Sequence, residues 1–326
     1  MLAAGLLFAA RVPARDCVPA PAGLVGWWPA DGGASDIAGT NNGTLQGGAT
    51  ANVGGVVGSA FGFDGTNGFV QIPDSAALRP TNLTVEAWVR FDSLNSAGSG
   101  GSPAGQQYIV FKQNSRSTYF EGYFLGKGRG AGRDFFVFGV SSASGQAPEL
   151  DSVSTVTTGV WNHVAGVRGS NFIQLFVNGQ LDSQTNINFP QDYGTNALYF
   201  GTSGQAYWDH KFAGALDEVS LYNRALSPEE IAALYAAGGA GKCKSPAPLT
   251  IGLLRTGPQP VAVLTLGGVV SQTYGLQAAA DLVPPVSWLG LTNLTLSTPT
   301  IVWYDPVPAT LTQRLYRVVS GPIPIP

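Results

Sequence analysis

Charge is scarce in this 326-residue chain: Asp, Glu, Lys and Arg together make up 11%, and the formal net charge is −3. A nucleic-acid binder needs a basic stripe to neutralise phosphates, and a polybasic membrane-surface protein needs a lysine or arginine cluster; neither is present. Cysteine is limited to Cys17 and Cys243, with no CxxC pair and no neighbouring histidine, so a zinc site is excluded by spacing. Long apolar runs are missing too. The longest at the N-terminus, Leu2 to Ala10, is well short of the roughly 20 residues that span a bilayer. What the chain has in quantity is glycine (44), proline (22) and aromatic residues (10%). There is no collagen period, and the aromatics are too many for a disordered chain, so the composition describes an ordered, turn-rich, all-β protein. Its length suggests about two domains.

The Leu2–Ala10 run resembles the apolar region of a secretory signal, and Val12-Pro13-Ala14 supplies the small residues of a cleavage site. The basic residues Arg11 and Arg15 lie on the wrong side of it, so residues 1–16 are an atypical signal segment. The expected location is outside the cytoplasm, secreted or in the cell envelope. In an exported chain an even pair of cysteines suggests a Cys17–Cys243 disulfide, which would make the ends of the first domain neighbours; two separate buried thiols are the alternative.

From Leu24 to Tyr222 short β-prone runs alternate with Gly, Asn, Asp and Ser clusters. In Leu83–Phe91 the residues Val85, Ala87, Val89 and Phe91 share one face, and Thr84, Glu86, Trp88 and Arg90 the other, as in a half-buried strand. A meander Trp161–Val167, Phe172–Val177, Leu181–Thr185 follows, its second turn an Asn178-Gly179 pair suited to positive φ. Ser227-Pro228-Glu229-Glu230 carries the marks of a helix start, with Ile231, Leu234 and Tyr235 on one face and Gly238-Gly239 as the stop; this helix is expected to pack on the end of a sandwich. The stretch Ala237–Pro248 is Gly/Ala- and then Pro-rich, placing a linker at 245–248 between a domain at 17–244 and a small β domain at 249–326. Strands are expected there at Val261–Leu266, Thr273–Gln277, Thr300–Tyr304 and Arg314–Val319.

Several motifs in fixed order then carry a resemblance. They are Leu24-Val25-Gly26-Trp27-Trp28-Pro29-Ala30-Asp31, Asp36 to Leu45, Ala60-Phe61-Gly62-Phe63-Asp64-Gly65, Leu83-Thr84-Val85-Glu86-Ala87-Trp88-Val89, Trp161-Asn162-His163-Val164-Ala165, and Phe212 to Ser227 around Leu216-Asp217-Glu218-Val219. Residues 23–244 resemble the LamG-like jellyroll domain of the concanavalin A-like lectin/glucanase superfamily. The resemblance implies a two-sheet antiparallel jellyroll, mostly non-catalytic recognition of glycans or extracellular proteins, and core positions for Trp27, Trp88 and Trp161. It also implies a calcium ion where an early Asp-rich turn meets the late strand, with Asp36, the Gly39 carbonyl, Asn42 and Asp217 as ligands. The competing reading is that Asp36 and Asn42 cap turns and Asp217 holds buried amides. The segment with Thr273–Gln277, Trp288, Tyr304-Asp305-Pro306 and Leu315–Val318 resembles a small β domain that ends exported proteins of planctomycete and verrucomicrobial type.

Sugar recognition needs exposed rings to stack on a pyranose and polar groups to fix its hydroxyls. Loop residues of that kind are Tyr119, Tyr193, Tyr207 and Trp208, with Asp192, Asp209 and Asn114 beside them; Trp208 as a mere rim residue is the alternative. Glu149-Leu150-Asp151 is the first half of a Glu-x-Asp-x-x-Glu glucanase motif, but Ser154 stands where the second glutamate belongs, so the general acid is missing. His163 is expected to pack structurally, and no G-x-S-x-G elbow accompanies any serine. Three functions are thus in play: a glycan-recognition module, a structural or protein-adhesion domain, and last a polysaccharide hydrolase.

Overall fold

A computed structural model describes residues 17–98, 105–114, 118–205 and 208–244 and, beyond them, 249–254, 261–267, 273–280, 283, 286–297, 300–305, 314–320 and 322–325. The expected signal segment 1–16, the linker 245–248 and Tyr207 lie outside the described residues.

Among the described residues fifteen strands run in order up to residue 222: β1 (Leu24–Trp28), β2 (Thr44–Gln46), β3 (Thr50–Gly54), β4 (Ser59–Asp64), β5 (Phe69–Ile72), β6 (Leu83–Phe91), β7 (Gln107–Gln113), β8 (Gly122–Gly130), β9 (Arg133–Ser141), β10 (Glu149–Thr155), β11 (Trp161–Arg168), β12 (Phe172–Val177), β13 (Gln180–Asn186), β14 (Leu198–Phe200) and β15 (Ala213–Tyr222). They form two antiparallel sheets. One has the order β13-β12-β11-β6-β15-β4-β3 with β1 also on β15; the other has the order β10-β9-β8-β7-β14-β5-β2. The alternation of β6 is realised: Val85, Ala87, Val89 and Phe91 point between the sheets, where they meet Ile109, Leu125, Phe136, Phe138 and Val140 of the second sheet. This is the two-sheet antiparallel sandwich expected of a jellyroll.

The other face of β6 departs from the expected half-exposure. Thr84, Glu86 and Trp88 are buried as well. Helix α1 (Pro228–Ala237) lies over the outer face of the first sheet, not on the end of the sandwich, with Ile231 and Leu234 against Ala165, Val167 and Phe176. Tyr235 reaches Trp88 at 5.6 Å between ring centroids. The segment after the helix then covers the rest of the face. Lys242 bonds to Glu86 at 3.0 Å and to Glu218 at 3.2 Å, and Cys243 is bonded to Cys17. Trp27 and Trp88 are therefore buried, but under this cover and not between the sheets, whereas Trp161 is only half-buried beside the Arg90 guanidinium.

Beyond residue 248, β16 (Leu249–Leu254), β17 (Val261–Gly267), β18 (Thr273–Ala279), β19 (Leu289–Thr295), β20 (Thr300–Tyr304) and β21 (Leu315–Ser320) make two three-stranded antiparallel sheets, β16-β17-β20 and β19-β18-β21. Leu266 and Tyr274, one from each sheet, share a small apolar cluster with Leu296. Strands β16 and β19 were not expected from the sequence. In β19 the Asn293 side chain bonds the backbone of Ile323, donating to its C=O and accepting from its N–H.

Candidate functional site: an aromatic pocket on the outer face of the second sheet

Among the described residues no helix covers the outer face of the second sheet, and strands β7 and β8 put rings there. A register shift in β7 between Tyr108 and Val110 breaks the strict two-residue alternation. As a result Tyr108 and Phe111, three apart, both belong to the outer face while Ile109 and Val110 stay in the core. Phe124 of β8 joins them. Tyr108 stands edge-on to both, at 4.7 Å from Phe111 and 5.7 Å from Phe124. The Phe124 ring lies flat because its neighbour in β9 is Gly139, where an added Cβ would sit 2.2 Å from the ring.

Loops raise walls around this floor and enclose a pocket of about 160 Å³. Tyr119 and Phe120 come from the β7–β8 connection, Ala147 from the approach to β10 and Glu149 from its first position, and Gln205 and Trp208 from the β14–β15 connection; Gln106 precedes β7 and Gln113 ends it. Two buried polar atoms in these walls have no hydrogen-bond partner among the described residues: the acceptor Oε1 of Gln106 and the donor Nε2 of Gln205. Buried polar groups are paired in the great majority of cases, so an unpaired acceptor and an unpaired donor among the residues of one pocket are unusual. Burial first, then the carboxylates of Glu149 and Asp209, hold the Tyr108 hydroxyl well above its ordinary pKa, so it stays a neutral donor.

Of the loop residues expected to bind, Tyr119 and Trp208 meet in this pocket. Both keep large exposed areas, 46% and 39%. Asp209 instead supports its neighbour. It is buried, accepts from the Thr202 hydroxyl at 2.7 Å and the Ser203 N–H at 2.9 Å, and pairs with Lys211 at 2.7 Å. Burial raises its carboxyl, but Lys211 and the loop donors hold it below the usual range. This clamp fixes the turn that presents Trp208 at φ +60°. Asp192 and Tyr193 belong elsewhere. Asp192 accepts from the Ala143 N–H, and the Tyr193 hydroxyl donates to Pro80 O at 2.7 Å while its ring packs against Tyr123. Asn114 bonds Asn196. The residues missed were the floor, Tyr108, Phe111 and Phe124, and the amide of Gln106.

A family model described as the Concanavalin A-like lectin/glucanases superfamily matches residues 64–232. The chain belongs to that superfamily. Among solved structures, domain 4 of AbnA, a GH43 extracellular arabinanase from Geobacillus stearothermophilus solved with arabinotriose, aligns with a TM-score of 0.50 at 19% identity, over 64% of this chain and 96% of that one. The receptor-binding domain of a botulinum neurotoxin C/D mosaic serotype aligns at 0.50 and 11%, over 83% and 69%. A search of curated proteins gave no match.

As a member of this superfamily the chain has to be tested for a calcium ion and for a carboxylate pair. The Asp36 carboxylate accepts five N–H groups: Trp27, Ala38 and Gly39 on Oδ1, and both the backbone and the side chain of Asn41 on Oδ2, all at 2.9–3.0 Å. Asn42 Oδ1 accepts from the Asp36 N–H. These are the contacts of a loop-ordering carboxylate, and donors aimed at both oxygens do not fit a bound cation. Asp217 serves another loop: its Oδ2 accepts from Val56 and Val57 at 2.7 and 2.8 Å. Among the described residues no three His, Cys, Asp or Glu side chains are grouped to hold a metal.

Glu149 and Asp151 both stand on the outer face of β10, opposite Gly139 and Val137. The third position of the motif, Ser154, gives its hydroxyl to Asp182 at 2.5 Å. His163 is taken up in a buried network, its Nε2 3.1 Å from Glu86.

Proposed function

We propose that this chain is a non-catalytic carbohydrate-binding module of an exported protein, and that its sugar site is the aromatic pocket formed by β7, β8 and the Trp208 loop. The observation that carries this reading is the gathering of rings in one pocket, Tyr119 and Trp208 exposed beside a floor of Tyr108, Phe111 and Phe124, with the amide side chains of Gln106 and Gln205 in its walls. A sugar ring offers an apolar C–H face to Trp208 and Tyr119 and a hydroxyl that donates to one amide and accepts from the other. Support comes from the fold shared with an arabinanase domain that holds arabinotriose. The Cys17–Cys243 disulfide fits an oxidising compartment. Among the described residues no helix is long and apolar enough to cross a membrane. A hydrolase is disfavoured because Ser154 stands where the second glutamate of the glucanase motif belongs.

Isothermal titration of the purified chain against neutral arabino-, xylo-, manno- and cello-oligosaccharides tests the reading. At least one series should bind. Trp208→Ala and Gln205→Ala should each weaken it about tenfold, near 1.4 kcal/mol, with the melting temperature unchanged. A folded protein that binds none of them, or binds equally well without Trp208, overturns the assignment and favours a protein-adhesion role.

A further inference from the structure

Among the described residues the pocket has one charged wall and no cation beside it. Glu149 is the one carboxylate of the described lining, and none of those lining residues is Lys, Arg or His. Three carboxylates elsewhere on this half of the molecule have cationic partners: Asp134 has Lys127 and Arg129, Asp74 has Lys112, and Asp209 has Lys211. The Glu149 side chain makes no hydrogen bond or ion pair among the described residues, and the nearest charge along its strand is Asp151, of the same sign. Desolvation at the pocket wall first, and Asp151 second, raise its carboxyl above the usual range.

The rings opposite act in the same sense. Tyr108, Tyr119, Phe120 and Trp208 border the same space, and the faces of such rings attract cations and repel anions. An acidic sugar would meet a carboxylate with no counter-charge. An ammonium would meet both a carboxylate and the negative faces of the rings.

We infer that the pocket is selective for sugars bearing a free ammonium group, such as unacetylated 2-amino sugars in a polysaccharide, with the Glu149 carboxylate as the residue that sets this preference. The inference rests on the carbohydrate-binding reading above and names the class of sugar. Gln106 and Gln205 would still fix hydroxyls, and Trp208 would still stack.

The test is titration of the full chain at about pH 6.5 with matched β-1,4 oligomers of glucosamine, N-acetylglucosamine and glucose, with a galacturonate oligomer and choline chloride as controls. The glucosamine oligomer should bind about tenfold more tightly than the two neutral ones, the size of a charge-assisted hydrogen bond. Glu149→Gln should remove that preference, bringing the glucosamine affinity down to that of the neutral oligomers measured on the same variant, with an unchanged melting temperature. The uronate should not bind, and added salt should weaken only the glucosamine oligomer. The inference is overturned if glucosamine binds no better than glucose, if the preference survives Glu149→Gln, or if choline alone binds as tightly as the amino sugar. The two levels separate cleanly. Neutral binding that depends on Trp208, without any amine preference, rejects this inference alone. Binding of every sugar that ignores Trp208 rejects the sugar site itself.

Discussion

Two buried carboxylates on the first sheet show how partners decide the charge of a residue. Glu86 is fully enclosed, and burial alone would raise its pKa, but Lys242 and His163 pull it down to about 2. Asp217, equally enclosed, has only the Val56 and Val57 N–H groups on Oδ2; its Oδ1 has no partner, and Glu218 and Asp31 add like charge. Burial first and these charges next push it up to about 8. The signs follow from linkage. Glu86 stabilises the fold above its unfolded pKa, and that contribution is lost as pH falls toward 2. Asp217 is protonated in the folded chain but ionised when unfolded between about pH 4 and 8, so its contribution falls as pH rises through that window. Asp217→Asn keeps an acceptor for both N–H groups and removes the charge. Relative to the native chain it should gain on the order of 2 kcal/mol at alkaline pH and little at pH 5. Melting curves of both proteins from about pH 5 to 9 should diverge with rising pH; parallel curves would show that Asp217 is not the group responsible.

At the scale of elements, helix α1 matters because it roofs a charged face. Its start is a complete capping box: the Ser227 hydroxyl accepts from the Glu230 N–H at 3.3 Å, and Glu230 accepts from the Ser227 N–H at 2.8 Å. Ser227→Ala should cost about 1 kcal/mol, or roughly 2–4 °C in melting temperature for a domain of this size, while leaving sugar affinity unchanged because the pocket lies on the other sheet. A loss below about half a degree would show that Arg224, which also grips Glu230, carries the cap by itself. This helix was legible in the sequence because a capping box is a local code, and so was the Asn178-Gly179 turn, found with φ of +51° and +76°. Its docking place was not legible. Alternation in β6 tells which residues share a face but not what covers that face, and the cover arrives from more than 130 residues downstream. The pocket divides in the same way. Tyr119 and Trp208 stand out as rings in polar loops. Phe111 and Phe124 sit in continuous apolar runs, where either face reads as core until the shift in β7 is seen. Glu149 was visible as half of a motif, whereas its lack of a partner is a property of the assembled walls. The five donors on Asp36 likewise come from a folded loop and not from a recognisable spacing.

On the scale of the whole molecule, the ends of the jellyroll are fastened over the first sheet, away from the pocket. Cys17 and Cys243 are 226 residues apart in sequence, and Val18 pairs with Lys242 beside them. Inside that closure Lys242 meets Glu86 and Glu218, and Glu218 accepts from the Trp27 indole at 3.0 Å. Opening the segment would strand these charges in an apolar setting, which ties the covalent bond to the electrostatic network. Closing so long a loop restricts the unfolded chain by about 5 kcal/mol in the chain-entropy model. Replacing both cysteines by serine should therefore lower the melting temperature by roughly 10–20 °C. Because the pocket is built on the opposite sheet, sugar affinity measured well below the new transition should stay within about twofold of the native value. If affinity fell together with stability, the closure and the pocket would form one cooperative unit. If stability hardly moved, the buried Lys242 network would be holding the ends together by itself, and Lys242→Met would then be the substitution that opens them.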